Sequence, residues 1–176
     1  MRLAQLLKKK NFLVQEHNRI SGLIHLHNSR QKDAKLPDYV NVKALFEKKI
    51  ELLNELIAVK TAINLGNACE TFVPAGVDWQ KTVVFKIILM AELKTLKAWF
   101  ESLNTKAGEQ VVKQNYNRVS GEQTDVTAEF VADISADDVY TNVEKINKQI
   151  QELQDSVDYT NATLEVEVPK IEGIKI

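Results

Sequence analysis

The chain has 176 residues, 44% of them hydrophobic and 27% charged, which is typical of one globular domain and excludes a long disordered protein. Its single cysteine, Cys69, excludes an internal disulfide framework, and its net charge of −1 argues against a dedicated nucleic-acid-binding domain. Residues 1–32 nevertheless carry a net charge of +6, and residues 120–176 carry −9. We therefore expect a single domain over 1–176 whose first and last segments lie against each other, within one subunit or between two.

The N-terminal residues lack the apolar core and small-residue cleavage site of a secretory signal. The longest apolar stretch, residues 87–91, or 83–91 if Lys86 is tolerated, is much shorter than the roughly 20 residues that span a bilayer. We therefore expect a protein of the cytoplasm, or of a particle assembled there, with no membrane contact.

Four helices are predicted from apolar residues that recur with a helical period. Pro37 separates the first two helices, because a proline disfavours helical conformation at the residue before it. The expected ranges are about 2–30, 39–65, 78–103 and 135–161.

Three of these helices carry capping signals. Gly66 can adopt the left-handed conformation that ends the second helix, and Asp78 is a suitable N-cap for the third. Ser135, with Asp138 three residues later, resembles a capping box at the start of the fourth helix.

The fourth helix carries a strict heptad seam, in which apolar residues follow one another at alternating steps of four and three. Such a seam is the pattern of a helix packed lengthwise on another helix. We therefore predict a mainly α fold, an antiparallel four-helix bundle or coiled coil with an inserted β-hairpin. The seam consists of Val139, Val143, Ile146, Ile150, Leu153 and Val157.

The apolar period changes to two between the third and fourth helices, which predicts the hairpin over about 111–134. Apolar and acidic residues alternate again after the last helix, which predicts a strand-like tail over 164–176. We expect this tail to dock as a third strand on the hairpin edge, and across subunits it would join neighbours by β-augmentation. The apolar residues of the tail are Leu164, Val166, Val168, Ile171, Ile174 and Ile176.

Candidate catalytic residues are sparse. His17, His25 and His27 lie on the first helix without the spacing of four residues that a helical zinc pair requires. The chain also lacks a glycine-rich phosphate loop, a CxxC motif and the spacing of a serine–histidine–aspartate triad. We therefore predict no enzyme, no catalytic residue, no metal, no cofactor and no small-molecule substrate.

Glu92 falls on the apolar stripe of the third helix, where a core residue is expected. A polar residue at such a position commonly fixes the register and the number of partners, whereas one isolated carboxylate does not make a catalytic mechanism. We therefore predict that Glu92 contributes to self-association and register, with Lys10 or His17 of the first helix as its partner.

Four short motifs, collinear over about 1–166, resemble those of the septicolysin-like bacterial proteins. The resemblance implies the helical layout, and the name of the family implies a haemolysin, but it supplies no catalytic residues. The tail beyond residue 168 lies outside the family pattern. The motifs are Met-Arg-Leu-Ala-Gln-Leu-Leu at 1–7, Ile-Asn-Leu-Gly-Asn at 63–67, Tyr-Asn-Arg at 116–118 and Asn-Ala-Thr-Leu-Glu-Val at 161–166, where Ala162 replaces the family's tryptophan and Leu164 a threonine.

The function that these patterns favour is structural. We expect a self-associating subunit of a homo-oligomeric particle, ring, tube or sheath, with another copy of itself, and optionally further assembly subunits, as partner. The alternative is a pore-forming or membrane-lytic protein whose 111–134 hairpin inserts into a membrane, although only the second strand of the hairpin alternates regularly. A third possibility is nucleic-acid binding through the basic first helix, with an affinity that falls steeply with salt.

Overall fold

A computed structural model of the chain describes residues 2–38, 40–68, 78–116 and 123–163. These residues are mainly helical, as predicted, with four α-helices and a small three-stranded antiparallel sheet. The helices are α1 (Leu3–His27), α2 (Val42–Ala68), α3 (Val83–Glu101) and α4 (Ala136–Thr163), and the strands are β1 (Ser29–Gln31), β2 (Gly108–Tyr116) and β3 (Gln123–Ala132).

The predicted capping box at the start of α4 is confirmed. The backbone N–H of Ser135 donates to Asp138 Oδ2 at 2.9 Å, and the backbone N–H of Asp138 donates to Ser135 Oγ at 3.1 Å. Hydrogen bonds from the Ser135 side chain and backbone hold the pKa of the Asp138 carboxyl below its ordinary value. The first turn of α4 is therefore fixed by residues adjacent in sequence.

The predictions for two other helix ends are wrong. A short 3-10 helix, Trp79–Lys81, follows Asp78, so α3 starts later and its N-cap is Thr82, whose side chain accepts the backbone N–H of Phe85 at 3.2 Å. Helix α2 continues through Gly66 to Ala68, and Gly66 does not have the positive φ of a left-handed cap. A glycine costs a helix only about 1 kcal/mol relative to alanine, which helix packing can offset.

Strand β3 is the central strand of the sheet, with β1 on one side and β2 on the other. Strands β2 and β3 pair in antiparallel fashion over much of the range predicted for the hairpin, and residues 117–122 between them lie outside the described residues. Val111 pairs with Thr127 and Lys113 pairs with Val126, so Val112 is the extra residue of a β-bulge. The bulge explains why the apolar and polar residues of β2 do not alternate regularly.

The third strand of the sheet is β1, which the sequence pattern placed inside the first helix. Helix α1 ends at His27, and Ser29–Gln31 pair with the last residues of β3, from Ala132 back to Phe130. Arg30 also pairs with Asp133, and Lys32 pairs with Glu129 at 2.9 Å. Through these two ion pairs, the end of the basic segment 1–32 contacts residues 129–133 of the acidic segment 120–176. The tail, 164–176, lies outside the described residues, so its expected docking on the hairpin stays a prediction.

Helix α2 packs against α1 and α3, and α3 also packs against α4. Helices α1 and α2 run in opposite directions, because Lys9 of α1 pairs with Glu55 of α2, whereas His17, later in α1, contacts Lys49, earlier in α2. One apolar cluster lies between α1 and α2, and another lies among α2, α3 and α4. Phe46, Trp99 and Val139 contact both clusters and join them into one core. None of the described helices is long and apolar enough to cross a membrane.

Candidate functional site

Lys49, in the middle of α2, is the centre of a buried polar cluster between α1, α2 and α3. Its residue surface is only 1% exposed. Lys49 Nζ lies 2.8 Å from His17 Nε2 and donates to Ser21 Oγ at 2.6 Å. The same nitrogen lies 4.4 Å from the centroid of the Trp99 ring. The ammonium group therefore has two side-chain acceptors and one aromatic face for its three N–H donors.

Sequence reasoning missed Lys49, although a signal was present. Val42, Leu56 and Ile63 repeat at intervals of seven residues along α2, and all three are buried. Lys49 occupies the remaining position of this series, where an apolar residue is expected. The argument that singled out Glu92 on α3 applies equally to Lys49 on α2.

Lys49 has no carboxylate ion-pair partner among the described residues. Burial lowers the pKa of Lys49 to about 8, because the charged form loses its hydration. The pKa of His17 is also lowered, first by its own burial and then by the positive charge of Lys49. A neutral His17 can accept a hydrogen bond at Nε2, so the depressed pKa values agree with the observed contact.

Glu92 lies on α3 beside this cluster and pairs with Lys60 of α2. The side chain of Glu92 is 12% exposed, whereas that of Lys60 is 32% exposed. Within the described chain the ion-pair partner of Glu92 is thus Lys60 rather than the expected Lys10 or His17. His17 and Glu92 do line one cavity, but Lys10 is half-buried elsewhere on α1. A role for Glu92 in register or self-association stays a prediction.

The cavity over the cluster has a volume of about 140 Å³. The indole nitrogen of Trp99, one of its lining residues, is buried without a hydrogen-bond partner in the described part of the chain. The N–H donors of Lys49 are already engaged, and Glu92 is already paired, so the cluster presents no free charge to a substrate. Within the described ranges, no group of three His, Cys, Asp or Glu residues could hold a metal ion. The contacts of Lys49 with His17 and Ser21 can fix the register of α1 on α2.

Asn28 is a second buried polar residue that the sequence did not single out. It is fully buried, and its Nδ2 donates to the carbonyl oxygens of Asn104 and Ile134 at 2.9 and 3.0 Å. Its Oδ1 accepts the backbone N–H of Ile134 at 2.7 Å. One side chain thus ties the end of α1 to the segments that flank the hairpin.

An open groove runs along α3 between α2 and α4, and we call it the α3 groove. Its volume is about 750 Å³. Ile146 and Leu153 of the heptad seam line it, and they are buried and half-buried respectively. Lys145 and Glu152, which also line it, form no ion pair with the described residues. The other lining residues are Phe46, Ile50, Leu53, Asn54, Ile57, Leu89, Leu93, Leu96, Phe100, Asn142, Gln149 and Ser156.

The outer part of the hairpin is exposed on both faces, and we define residues 111–115 and 123–127 as the distal hairpin. The register puts Val111 beside Thr127 on one face and Val126 beside Lys113 on the other. Both valines are about half exposed. Strand β1 covers only the 130–132 end of β3, and the outer edge of β2 has no strand partner among the described residues.

Comparisons with protein-family models, with curated proteins and with solved structures gave no match to this chain. The resemblance to the septicolysin-like proteins therefore stays a prediction. The functional argument rests on the geometry of the cluster, the α3 groove and the distal hairpin.

Proposed function

We propose that this chain is a structural subunit that assembles with copies of itself in the cytoplasm through its distal hairpin. The observation that carries the proposal is a long strand pair exposed on both faces, in which the outer edge of β2 has no strand partner among the described residues. Two strands alone are only marginally stable in water, and an open edge offers unpaired N–H and C=O groups to another strand. A second copy supplies the same edge, so β2 of one subunit can pair with β2 of the next by β-augmentation.

The exposed valines support this use of the hairpin. Val111, Val112 and Val126 expose apolar surface on a strand pair that the helices do not cover. Proteins usually protect an edge strand with charges, prolines or a very short strand. Strand β2 instead has nine residues with only Glu109 and Lys113 as charges and no proline. Its bulge at Val112 restricts the register at which a second edge can pair.

We also propose that the four helices form an antiparallel bundle, which acts as the rigid body that carries the hairpin. The opposite directions of neighbouring helices support this arrangement. The α1–α2 pair has the Lys9–Glu55 contact, and Lys86 near the start of α3 donates to Ser156 near the end of α4 at 2.7 Å. The buried Lys49 cluster would then hold α1, α2 and α3 in one register.

The test is the particle mass of two double variants in mass photometry and negative-stain images. Val111→Lys with Val126→Lys adds two charges to the distal hairpin, and we expect it to reduce the oligomer to monomers. Thr141→Lys with Asn147→Lys adds the same charge to exposed positions on α4 and serves as the matched control. Circular dichroism should show unchanged helix content in both, because none of the four sites is in the core.

Two results would contradict the proposal. The wild-type protein could be monomeric at micromolar concentration, or the hairpin variant could keep the wild-type particle mass. An assembly that the α4 control disrupts while the hairpin variant leaves it intact would place the interface on the helices.

The geometry gives less support to the other two functions. A membrane-inserting hairpin needs one uniformly apolar face, but Thr127 lies beside Val111 and Lys113 beside Val126. Dye-loaded liposomes should therefore release no dye above background. Nucleic-acid binding through α1 would use charges that are partly neutralised, since Lys9 pairs with Glu55 and Arg19 pairs with Glu16.

A further inference from the structure

Strand β3 has a second open edge, on the side opposite β2. Strand β1 pairs there with residues 130–132 only, and the backbone N–H of Lys32 makes one further bond, to the carbonyl of Glu129 at 2.8 Å. The chain then turns, and none of the residues described after it continues β1 as a strand. Residues 123–128 of β3 therefore have a strand beside them on the β2 side only in the described chain, and we call their other side the β3 edge.

We propose that the β3 edge pairs with the β3 edge of a second copy, antiparallel and with Val126 of each copy on the two-fold axis. The inference rests on the proposed assembly through the distal hairpin, to which it adds a second contact. Pairing of β2 with β2 is isologous, so it joins two subunits and goes no further. A second self-complementary edge on the same hairpin extends such a pair into a larger particle.

The backbone groups of the β3 edge point outward at alternate residues. The carbonyl of Glu129 accepts a bond from the residue after β1, and the backbone N–H of Asp133 donates to the carbonyl of Asn28 at 3.2 Å. Odd-numbered residues at this end of β3 thus face the β1 side, and the bulge does not change this alternation because its extra residue is in β2. Asp125 and Thr127 therefore direct N–H and C=O groups to the β3 edge, where a partner strand can pair with them.

Charges favour one register over its two neighbours. Residues that face each other in an antiparallel pair lie on the same face of the sheet, so the axis can move only one whole residue at a time. With the axis at residue 125, Asp125 lies opposite Asp125 of the second copy, and with the axis at residue 127 it lies opposite Glu129. Both registers place like charges together, which is destabilising. With the axis at Val126, Asp125 lies opposite the uncharged Thr127, and two exposed valines meet.

The two contacts together place the helices of successive copies at alternate ends of a shared sheet. Both pairings are antiparallel, so the helices of paired copies extend from opposite ends of the strands. Copies at the same end are four strands apart, which is about 19 Å at about 4.8 Å per strand. The twist of a sheet also rotates one such copy from the next by roughly 80–100°. The strands of the intervening copy therefore hold the helices of these copies about two helix widths apart.

Disulfide trapping tests the register. In a Cys69→Ser background, Val126→Cys places two thiols opposite each other across the axis, where facing Cβ atoms of an antiparallel pair lie about 4.5–5.5 Å apart. Thr124→Cys and Ala128→Cys are matched controls on the same face of the same strand, but each lies about 13 Å along the strand from its equivalent in the second copy. We expect the disulfide-linked dimer to form at least tenfold faster in Val126→Cys than in either control, as measured by non-reducing electrophoresis and intact mass. A mixture of the two control proteins should link one to the other, because residues 124 and 128 face each other in this register.

Proline substitutions separate the two edges. Thr127→Pro removes an outward N–H from the β3 edge. Gln114→Pro removes one from the outer edge of β2, because Gln114 pairs with Asp125 and the backbone groups of that pair point away from each other. Proline is tolerated in an edge strand where the lost N–H faces solvent, so circular dichroism should show the wild-type helix content in both variants. In mass photometry we expect dimers in both cases, and only Thr127→Pro should also abolish the disulfide of Val126→Cys.

The outcomes distinguish this inference from the proposed function. Equal disulfide rates at residues 124, 126 and 128, or a Thr127→Pro protein that keeps the wild-type particle mass, would overturn the β3 pairing. A fast disulfide in Val126→Cys together with a Gln114→Pro protein of wild-type particle mass supports the β3 pairing and counts against the β2 contact instead.

Discussion

Lys49→Met measures the cost of placing a lysine in the core without a carboxylate partner. The ordinary pKa of lysine is 10.5, and burial lowers that of Lys49 to about 8. The difference corresponds to roughly 3 kcal/mol at 25 °C, at about 1.4 kcal/mol per pH unit. Methionine has a similar length and no charge, so we expect the variant to be more stable than wild type by about 1–3 kcal/mol at pH 7, after the lost contacts with His17 and Ser21 are subtracted.

The dependence on pH separates the charge from the packing. Between pH 8 and 10.5 the unfolded chain holds a proton on Lys49 that the folded chain has lost, so the stability of wild type rises with pH in this window. The destabilisation is complete below pH 8 and disappears above pH 10.5. The Met variant lacks this titration, so its stability advantage should shrink by roughly 3 kcal/mol between pH 7 and 10.5.

The assay is urea denaturation followed by circular dichroism at several pH values from 7 to 10.5. Lys48→Met is the matched control, because it removes the same charge from the adjacent, exposed position. We expect no comparable pH-dependent gain in the control. A difference between wild type and Lys49→Met that is the same at pH 7 and at pH 10.5 would refute the reasoning.

Three further substitutions test the remaining buried polar contacts and one helix cap. Asn28→Ala should destabilise the protein by about 3 kcal/mol in urea titrations, because it removes the partner of three backbone groups, two of them buried at Ile134 and one part-buried at Asn104. Lys60→Met should lower the free energy of unfolding by about 2–3 kcal/mol, because the nearly buried carboxylate of Glu92 loses its ion-pair partner. Glu92→Leu should change the free energy of unfolding by less than about 1 kcal/mol, because the Lys60 side chain can reach water. Equal losses for these two variants would contradict the asymmetry. Thr82→Ala should lower the thermal midpoint through the loss of about 1 kcal/mol of cap energy, and an unchanged midpoint would count against Thr82 as the cap.

Several features could be predicted because they depend on neighbours in sequence. The helical period is a local property, and it correctly placed four helices, with ends that differ from the structure by several residues at most. The capping box of Ser135 and Asp138 involves residues three positions apart, so it could also be read directly. Regular alternation identified β3, but the bulge in β2 obscured the pattern of that strand.

The candidate site shows where local patterns stop being informative. The sequence identified Glu92 as an unusual residue on an apolar stripe, but it pointed to Lys10 or His17 of the first helix as the partner. Only the packing of α2 on α3 selects Lys60. The packing of the helices also buries Lys49 and places its ammonium group beside the Trp99 ring.

The amino-acid sequence by itself determined which segments are helical, where α4 begins and which residues break the apolar pattern. Tertiary structure decided the end of α1, the strand β1 and the partners of every buried charge. Asn28 is bonded to residues 76 and 106 positions away, and β1 has only three residues, too few for a period to be visible. Such contacts depend on how helices and strands meet in space, because the hydrogen bonds that satisfy a buried polar group can come from any part of the chain.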